Sequence, residues 1–278
     1  MRRSHGRARG VKFERRDGQY YEQTVRQLCE LARSICSSHA GQSFQFVRKE
    51  DRSPVTELDR EIELALRACI NSRHPDDSII GEEFGLLEGA QGRSSARRWV
   101  IDPLDGTKAF VTGSPLWGTL IGVLNDGKPW LGAIEMPALH RRLFSFDIEA
   151  VREDDSIRTS PCSDLTAARL CTTTPDKFTS VEQSGFDRLS KSVAVHRYGG
   201  DCFNYAALAT GQCDLVVEAG LAPHDFLPIV PIVQQAGGEM TDWQGQVLTE
   251  NSAGKVLAAS TPALHFQALQ TLAVAYDG

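Results

Sequence analysis

Val25, Leu28, Cys29, Leu31, Ala32 and Ile35 recur at helical spacing and predict a helix between Tyr20 and His39. Phe44 to Val47 reads as a short strand entering the polar loop Arg48 to Pro54. Thr56 can cap a second helix, with Leu58, Ile62, Leu64, Ala65, Ala68 and Cys69 as its apolar face and His74-Pro75 as its stop. Ser78-Ile79-Ile80 predicts a brief strand running into Gly81-Glu82-Glu83-Phe84-Gly85, and Gly89 to Arg97 a polar surface loop. Val100-Ile101 belongs to another strand, which Pro103 should end because it has no N–H for a central ladder. Leu116–Val123 and Trp130–Met136 predict antiparallel strands joined by the turn Asn125-Asp126-Gly127.

A less regular stretch follows from Ile148 to Leu165, after which the texture is α/β. Strands are expected at Ala168–Thr172, Val193–Val195 and Leu215–Val217. Helices are expected at Val181–Leu189, Cys202–Gly211 and Asp225–Gln235, the last stopped by Gly237-Gly238. With no internal repeat and no long linker, the pattern gives two associated units. An N-terminal α+β half spans 19–150 and a C-terminal α/β half spans 151–278. Residues 1–18 form a basic stretch without an apolar segment, expected to be a disordered tail.

Composition narrows the class. With 41% hydrophobic and 24% charged residues, the 278-residue chain has the make-up of an ordinary globular protein. A formal charge of −6 argues against a nucleic-acid binder built on a broad basic face. No apolar run reaches the ~20 residues of a membrane span, and the absence of a secretory signal leads to an expectation of a cytoplasmic protein. The seven cysteines are odd in number and show no paired CxxC spacing, which disfavours structural zinc.

The chemistry concentrates in acidic residues at element ends. In Asp102-Pro103-Leu104-Asp105-Gly106-Thr107, two carboxylates follow an apolar strand, and Gly-Thr stands where a helix can begin. Strand ends of this kind are where α/β folds build sites, and N–H groups at a helix start can hold phosphate. A solvated Asp-Gly turn would account for the same residues. Glu82-Glu83 are adjacent acids that repel unless a cation or solvent screens them. Asp225 has a plainer reading as a helix cap, and Asp59 as a surface acid. Taken together, these carboxylates suit hard cations such as Mg²⁺, which prefer oxygen ligands. They point to metal-assisted phosphate chemistry.

The combination Lys49…Ser53-Pro54-Val55-Thr56…Asp59, Gly81-Glu82-Glu83, Asp102 to Thr107 and Asp225 resembles the inositol monophosphatase family over about residues 20 to 275. Arg197 to Cys202, Val217 to Leu221 and Thr241-Asp242-Trp243 look most like its histidinol-phosphatase branch, as does Thr172-Thr173-Thr174-Pro175. The resemblance implies a layered α-β-α-β-α fold and a phosphate monoester hydrolase with two or three Mg²⁺ per site, Mn²⁺ being able to substitute. It implies that Glu82, Asp102 and the Leu104 carbonyl hold one metal, and Asp102, Asp105 and Asp225 a second. Asp59 and Thr107 would orient the attacking water, with Glu82 counted among the catalytic residues. The N–H groups of Gly106 and Thr107 would cradle phosphate oxygens. A homodimer acting on a small phosphate monoester is the expected assembly, with no membrane or nucleic-acid partner. A haloacid-dehalogenase-type site fits poorly, since Asp102-x-x-Asp105 is one residue longer than its D-x-D pattern.

By the same resemblance, Gly200, Asp201 and Glu218 line the leaving-group pocket. Two carboxylates there would favour a cationic leaving group such as histidinol; alternatively, Asp201 simply caps the next helix. Inositol phosphates or nucleotide 3′-phosphates remain alternative substrates. A role as an interaction protein of the transcription machinery is the alternative outside enzymes. His224 departs from the family, which usually has Trp or Tyr before the late Asp; it is expected to pack or to line the pocket, with a metal-ligand role as the alternative, although imidazole suits Mg²⁺ less well than oxygen.

Overall fold

The computed structural model describes residues 7–39, 46–48, 54–90, 96–146 and 157–273. Lys49 to Ser53, Phe44-Gln45, part of the polar loop (91–95) and much of the irregular stretch (147–156) lie outside the described residues.

Helices α1 (Arg7–Ser38) and α2 (Glu57–Arg73) pack together on one face of a six-stranded sheet. A short hairpin, β1 (Phe46–Arg48) and β2 (Pro54–Thr56), leads into α2. The sheet contains β3 (Ser78–Gly81), β4 (Gly85–Leu87), β5 (Arg97–Asp105), β6 (Gly118–Asn125), β7 (Lys128–Met136) and β8 (Arg141–Phe144), in the order β4-β3-β5-β6-β7-β8. Alternation along its strands sorts side chains to two faces. Trp99, Ile101, Ile121, Val123 and Ala133 meet α1 and α2, whereas Val100, Leu120, Ile134 and Met136 face the middle of the molecule.

The second half carries β9 (Arg169–Thr172), α4 (Ser180–Ser192), β10 (Val195–Tyr198), α5 (Cys202–Ala209) and β11 (Leu215–Glu218). These are followed by α6 (Pro223–Phe226), α7 (Val230–Gln235), β12 (Glu239–Thr241), β13 (Val256–Ala259) and α8 (Pro262–Ala273); α3 (Thr107–Val111) belongs to the first half. The five-stranded sheet runs β10-β9-β11-β13-β12. Helices α5 and α7 pack between the two sheets, and α4 and α8 cover the outer face of the second. The layers are therefore α-β-α-β-α. No helix among the described residues is long and apolar enough to cross a membrane, and all seven cysteines are unbridged.

Four local expectations need correction. The basic stretch expected as a tail is helical from Arg7 onward, a segment without proline in which Arg, Lys and Glu favour helix. The buried stripe of α2 is Leu58, Ile62, Leu66 and Ile70, while Leu64 and Ala68 face solvent. Strand β5 does not stop at Pro103. It bulges, with three steps from Asp102 to Asp105 set against two on β6, and bulges are where a sheet tolerates proline. Finally, the helix expected from Asp225 to Gln235 is two short helices, broken at Leu227-Pro228-Ile229.

That break is seated by glycine. Gly122 and Gly132 face each other across β6 and β7, and a Cβ on Gly132 would lie 1.9 Å from the Pro228 carbonyl oxygen. The missing side chains let the chain between α6 and α7 lie against the sheet. This contact fixes the depth at which Asp225 enters the site.

Candidate active site

The β5 bulge turns Asp102 and Asp105 out of the sheet at its carboxyl end. The Thr119 hydroxyl donates to the Pro103 carbonyl at 2.8 Å and pins the bulge, and the Leu104 N–H donates to Asp102 Oδ1 at 3.0 Å. Gly106 follows at φ +87°, a conformation that favours glycine, and opens α3. The Cys202 N–H donates to Asp105 Oδ2 at 2.6 Å, and the Ala222 N–H to Asp225 Oδ2 at 2.7 Å. Each of the three carboxylates thus accepts a backbone N–H: Asp102 from its own strand, Asp105 from the start of α5, and Asp225 from the residue that opens its own helix.

Two clusters result. Donor atoms of Asp102, Asp105 and Asp225 lie within 4.8 Å of one another, and so do those of Glu82, Asp102 and His224. Burial pushes the Asp102 carboxyl well above the usual carboxylate range, and Glu82, Asp105 and Asp225 push it further. Asp105 is driven up by burial, then by Asp201 and Asp225. Buried like charges cannot all ionise without a counterion, and a hard oxygen donor set suits a divalent cation. The residues present fit a metal centre.

Asp59 is completely buried, not the surface acid its helical position allowed. The Thr56 N–H and hydroxyl both donate to its Oδ2, in the manner of a helix capping box. The Thr107 hydroxyl lies 3.2 Å from Asp59 Oδ1 and 3.0 Å from the Leu104 carbonyl, so one proton is shared between two acceptors. Burial raises the Asp59 carboxyl.

The turn carrying Glu82 is clamped from α2 by residues the pattern reading passed over. Glu63 Oε2 accepts from the Glu83 N–H at 2.7 Å, and Glu63 Oε1 pairs with Arg67 at 2.8 Å. Arg67 also donates to the Gly85 carbonyl. A Cβ at Gly81 would lie 2.1 Å from Glu63 Oε1, so glycine is required by the close approach.

The second half forms the other wall of a cleft of about 660 Å³, a size suited to a small molecule. Asp201 stands at the N-cap of α5, but its side chain makes no capping hydrogen bond, so helix capping does not account for the carboxylate. It adopts φ +45°, strained for a residue with a Cβ, and its N–H donates to the Thr173 hydroxyl at 3.1 Å. Gly200 is tight as well, since a Cβ would meet Asn204 Oδ1 at 2.2 Å. Glu218 Oε1 accepts from both the N–H and the hydroxyl of Thr173, each at 2.9 Å. Tyr205, which the sequence reading did not single out, lines the same cleft with its hydroxyl buried and without a hydrogen-bond partner. Its only sequence signal is one phenol in the otherwise small, apolar run Tyr205 to Ala209.

Burial pushes the Glu218 carboxyl up to about 8, with Asp201 and Asp225 adding to the rise against the two Thr173 donations. Asp201 is pushed up to about 6, again by burial, with Lys108 and Lys177 opposing. In the unfolded chain Glu218 titrates near its ordinary 4.5, so between that pH and about 8 the folded form holds the extra proton. Stability of the metal-free protein should therefore fall as pH rises through that window. Glu218→Gln, which keeps the acceptor for Thr173, should flatten the fall, as read from Tm between about pH 5 and about pH 9. An unchanged slope would show that Glu218 does not carry it.

A layered α-β-α-β-α fold with clustered carboxylates at the meeting of its halves defines the class: a metal-dependent phosphatase. The chain belongs to the inositol monophosphatase family, whose model matches residues 19–275. It is similar to the bifunctional phosphatase IMPL2, chloroplastic, of Arabidopsis thaliana, at 39% identity over 88% of this chain and 72% of that protein. It is 31% identical to the histidinol-phosphatase of Chlorobaculum parvum, over 85% of this chain and 91% of that one. Among solved structures, an inositol monophosphatase from Zymomonas mobilis matches with a TM-score of 0.77 and 38% identity, covering 90% of this chain and 96% of that chain.

Proposed function

We propose that this phosphatase hydrolyses L-histidinol phosphate to L-histidinol and phosphate, with Mg²⁺ as its metal. The observation that carries the reading is the pair Asp201, half-buried, and Glu218, buried, two carboxylates lining one side of the cleft. Histidinol carries an ammonium group at neutral pH and inositol does not. A cation entering this pocket lets both carboxyls ionise, and the attraction is strong because the site is desolvated. The same pair would repel the second phosphate of a nucleotide bisphosphate. Similarity to histidinol-phosphatases supports this reading independently.

Two divalent cations would neutralise the phosphate and supply Lewis acidity to the attack of water. Glu82, Asp102 and the Leu104 carbonyl would hold one, as the family resemblance implies; Asp102, Asp105 and Asp225, whose donor atoms cluster, would hold the other. When the Thr107 hydroxyl donates to Asp59, its oxygen is left to accept from the attacking water and aim it. Asp59, raised by burial, is better matched to taking up a proton than an exposed aspartate. The N–H groups of Gly106 and Thr107 would cradle the phosphate beside Asp201; a Cβ at Gly106 would sit 3.2 Å from the Asp201 Cβ. The phosphate seat and the leaving-group pocket are thus adjacent.

A histidine auxotroph lacking histidinol-phosphate phosphatase activity should grow without histidine when it expresses this chain, and fail with Asp102→Asn. No growth from cells whose lysate shows Asp102-dependent phosphatase activity would overturn the substrate while leaving the phosphatase.

A further inference from the structure

We infer that the His224 imidazole is itself a metal ligand, completing a site of one nitrogen and two carboxylates with Glu82 and Asp102. The inference rests on the metal centre proposed above and changes the nature of one of its two sites. Three separate elements bring the donors together: Glu82 from the turn after β3, Asp102 from the β5 bulge and His224 from α6. Their ligand atoms all lie within 4.8 Å of one another. The imidazole is largely covered, its side chain 16% exposed, and its Nε2 lies 3.5 Å from Asp225 Oδ1, so the ring faces the carboxylates rather than solvent.

The placement follows from the backbone. Pro223 starts α6, and the Ala222 N–H held by the Asp225 carboxylate fixes the first turn. Successive residues of that turn then face the two clusters, His224 toward Glu82 and Asp102, and Asp225 toward Asp102 and Asp105. The aromatic residue that the family resemblance leads one to expect at this position offers no such nitrogen. A nitrogen donor beside the two carboxylates favours Mn²⁺, Co²⁺ or Zn²⁺ over Mg²⁺. The two sites of this chain would then differ in preference, the Asp102–Asp105–Asp225 site being all oxygen and suited to Mg²⁺.

Mn²⁺ added to the metal-free protein provides the test. Pulsed electron paramagnetic resonance should show coupling of bound Mn²⁺ to a ¹⁴N nucleus, and the coupling should change to the ¹⁵N pattern when the protein's histidines are ¹⁵N-labelled. That reading needs no variant. His224→Tyr should remove the coupling and weaken Mn²⁺ binding by about tenfold or more relative to Mg²⁺ in competition titrations. Stoichiometric Mn²⁺ without nitrogen coupling would overturn the role of His224 and leave the carboxylate centre standing. No bound Mn²⁺ at all would overturn the metal centre together with it.

Discussion

Asp102→Asn should lower phosphate release by at least about 1,000-fold, ~4 kcal/mol of transition-state stabilisation, because Asp102 is shared by both donor clusters. The same change should raise the Tm of the metal-free protein. Asp102 is buried among Glu82, Asp105 and Asp225, all of which oppose its ionisation. Asparagine has no carboxyl whose ionisation burial must suppress, and it can still accept from the Leu104 N–H through its Oδ1. Loss of activity with a gain in stability is the signature of a site held at the expense of the fold. Steady-state turnover and thermal melts in chelator, run on both proteins, check the two halves of the expectation. A fall in metal-free Tm would show that Asp102 supports the fold rather than straining it.

Arg67→Met should destabilise the protein by about 3–5 kcal/mol, since it leaves Glu63 buried without its partner. Glu63 is completely buried and Arg67 nearly so. The pair also ties α2 to the turn that carries Glu82, through the Glu83 N–H and the Gly85 carbonyl. Metal affinity should therefore fall in step with stability. Glu63→Gln in the same chain removes the stranded charge and should recover part of the stability, which denaturant unfolding of the two single variants and the double variant would measure. Additive losses in the double variant would contradict the coupling.

The Glu63–Arg67 pair also shows how far the pattern of residues could be read. Apolar spacing located α2 but assigned Leu64 and Ala68 to a face that in fact meets solvent. The actual buried surface carries Asp59, Glu63 and Arg67 beside Leu58, Ile62, Leu66 and Ile70. Charged residues at steps of four blur the hydrophobic stripe, and they do so because that side of the helix serves the site. Pro103 misled in a similar way. It ends a regular ladder, but here it marks a bulge, and the bulge aims Asp102 and Asp105.

Short-range chemistry was read more successfully. Thr56 at the start of α2, the Asn125-Asp126-Gly127 turn and the Gly237 stop all form where turn and cap residues placed them. Convergence over long separations was not contained in any local pattern. That Glu82, Asp102, Asp105 and Asp225 would meet came only from the order of motifs and their family resemblance. Tyr205 and the close seat of Pro228 on Gly122 and Gly132 depend on packing between the halves, which periodicity along the chain does not encode.

The most direct measurement is kcat/KM of the purified protein with Mg²⁺ for histidinol phosphate against inositol 1-phosphate, with Asp102→Asn as the control. Recognition of the ammonium group by Asp201 and Glu218 predicts a preference of about 100-fold or more for histidinol phosphate, ~2.7 kcal/mol, lost in the control. Equal rates for the two esters would contradict that recognition and leave a phosphatase of broad specificity.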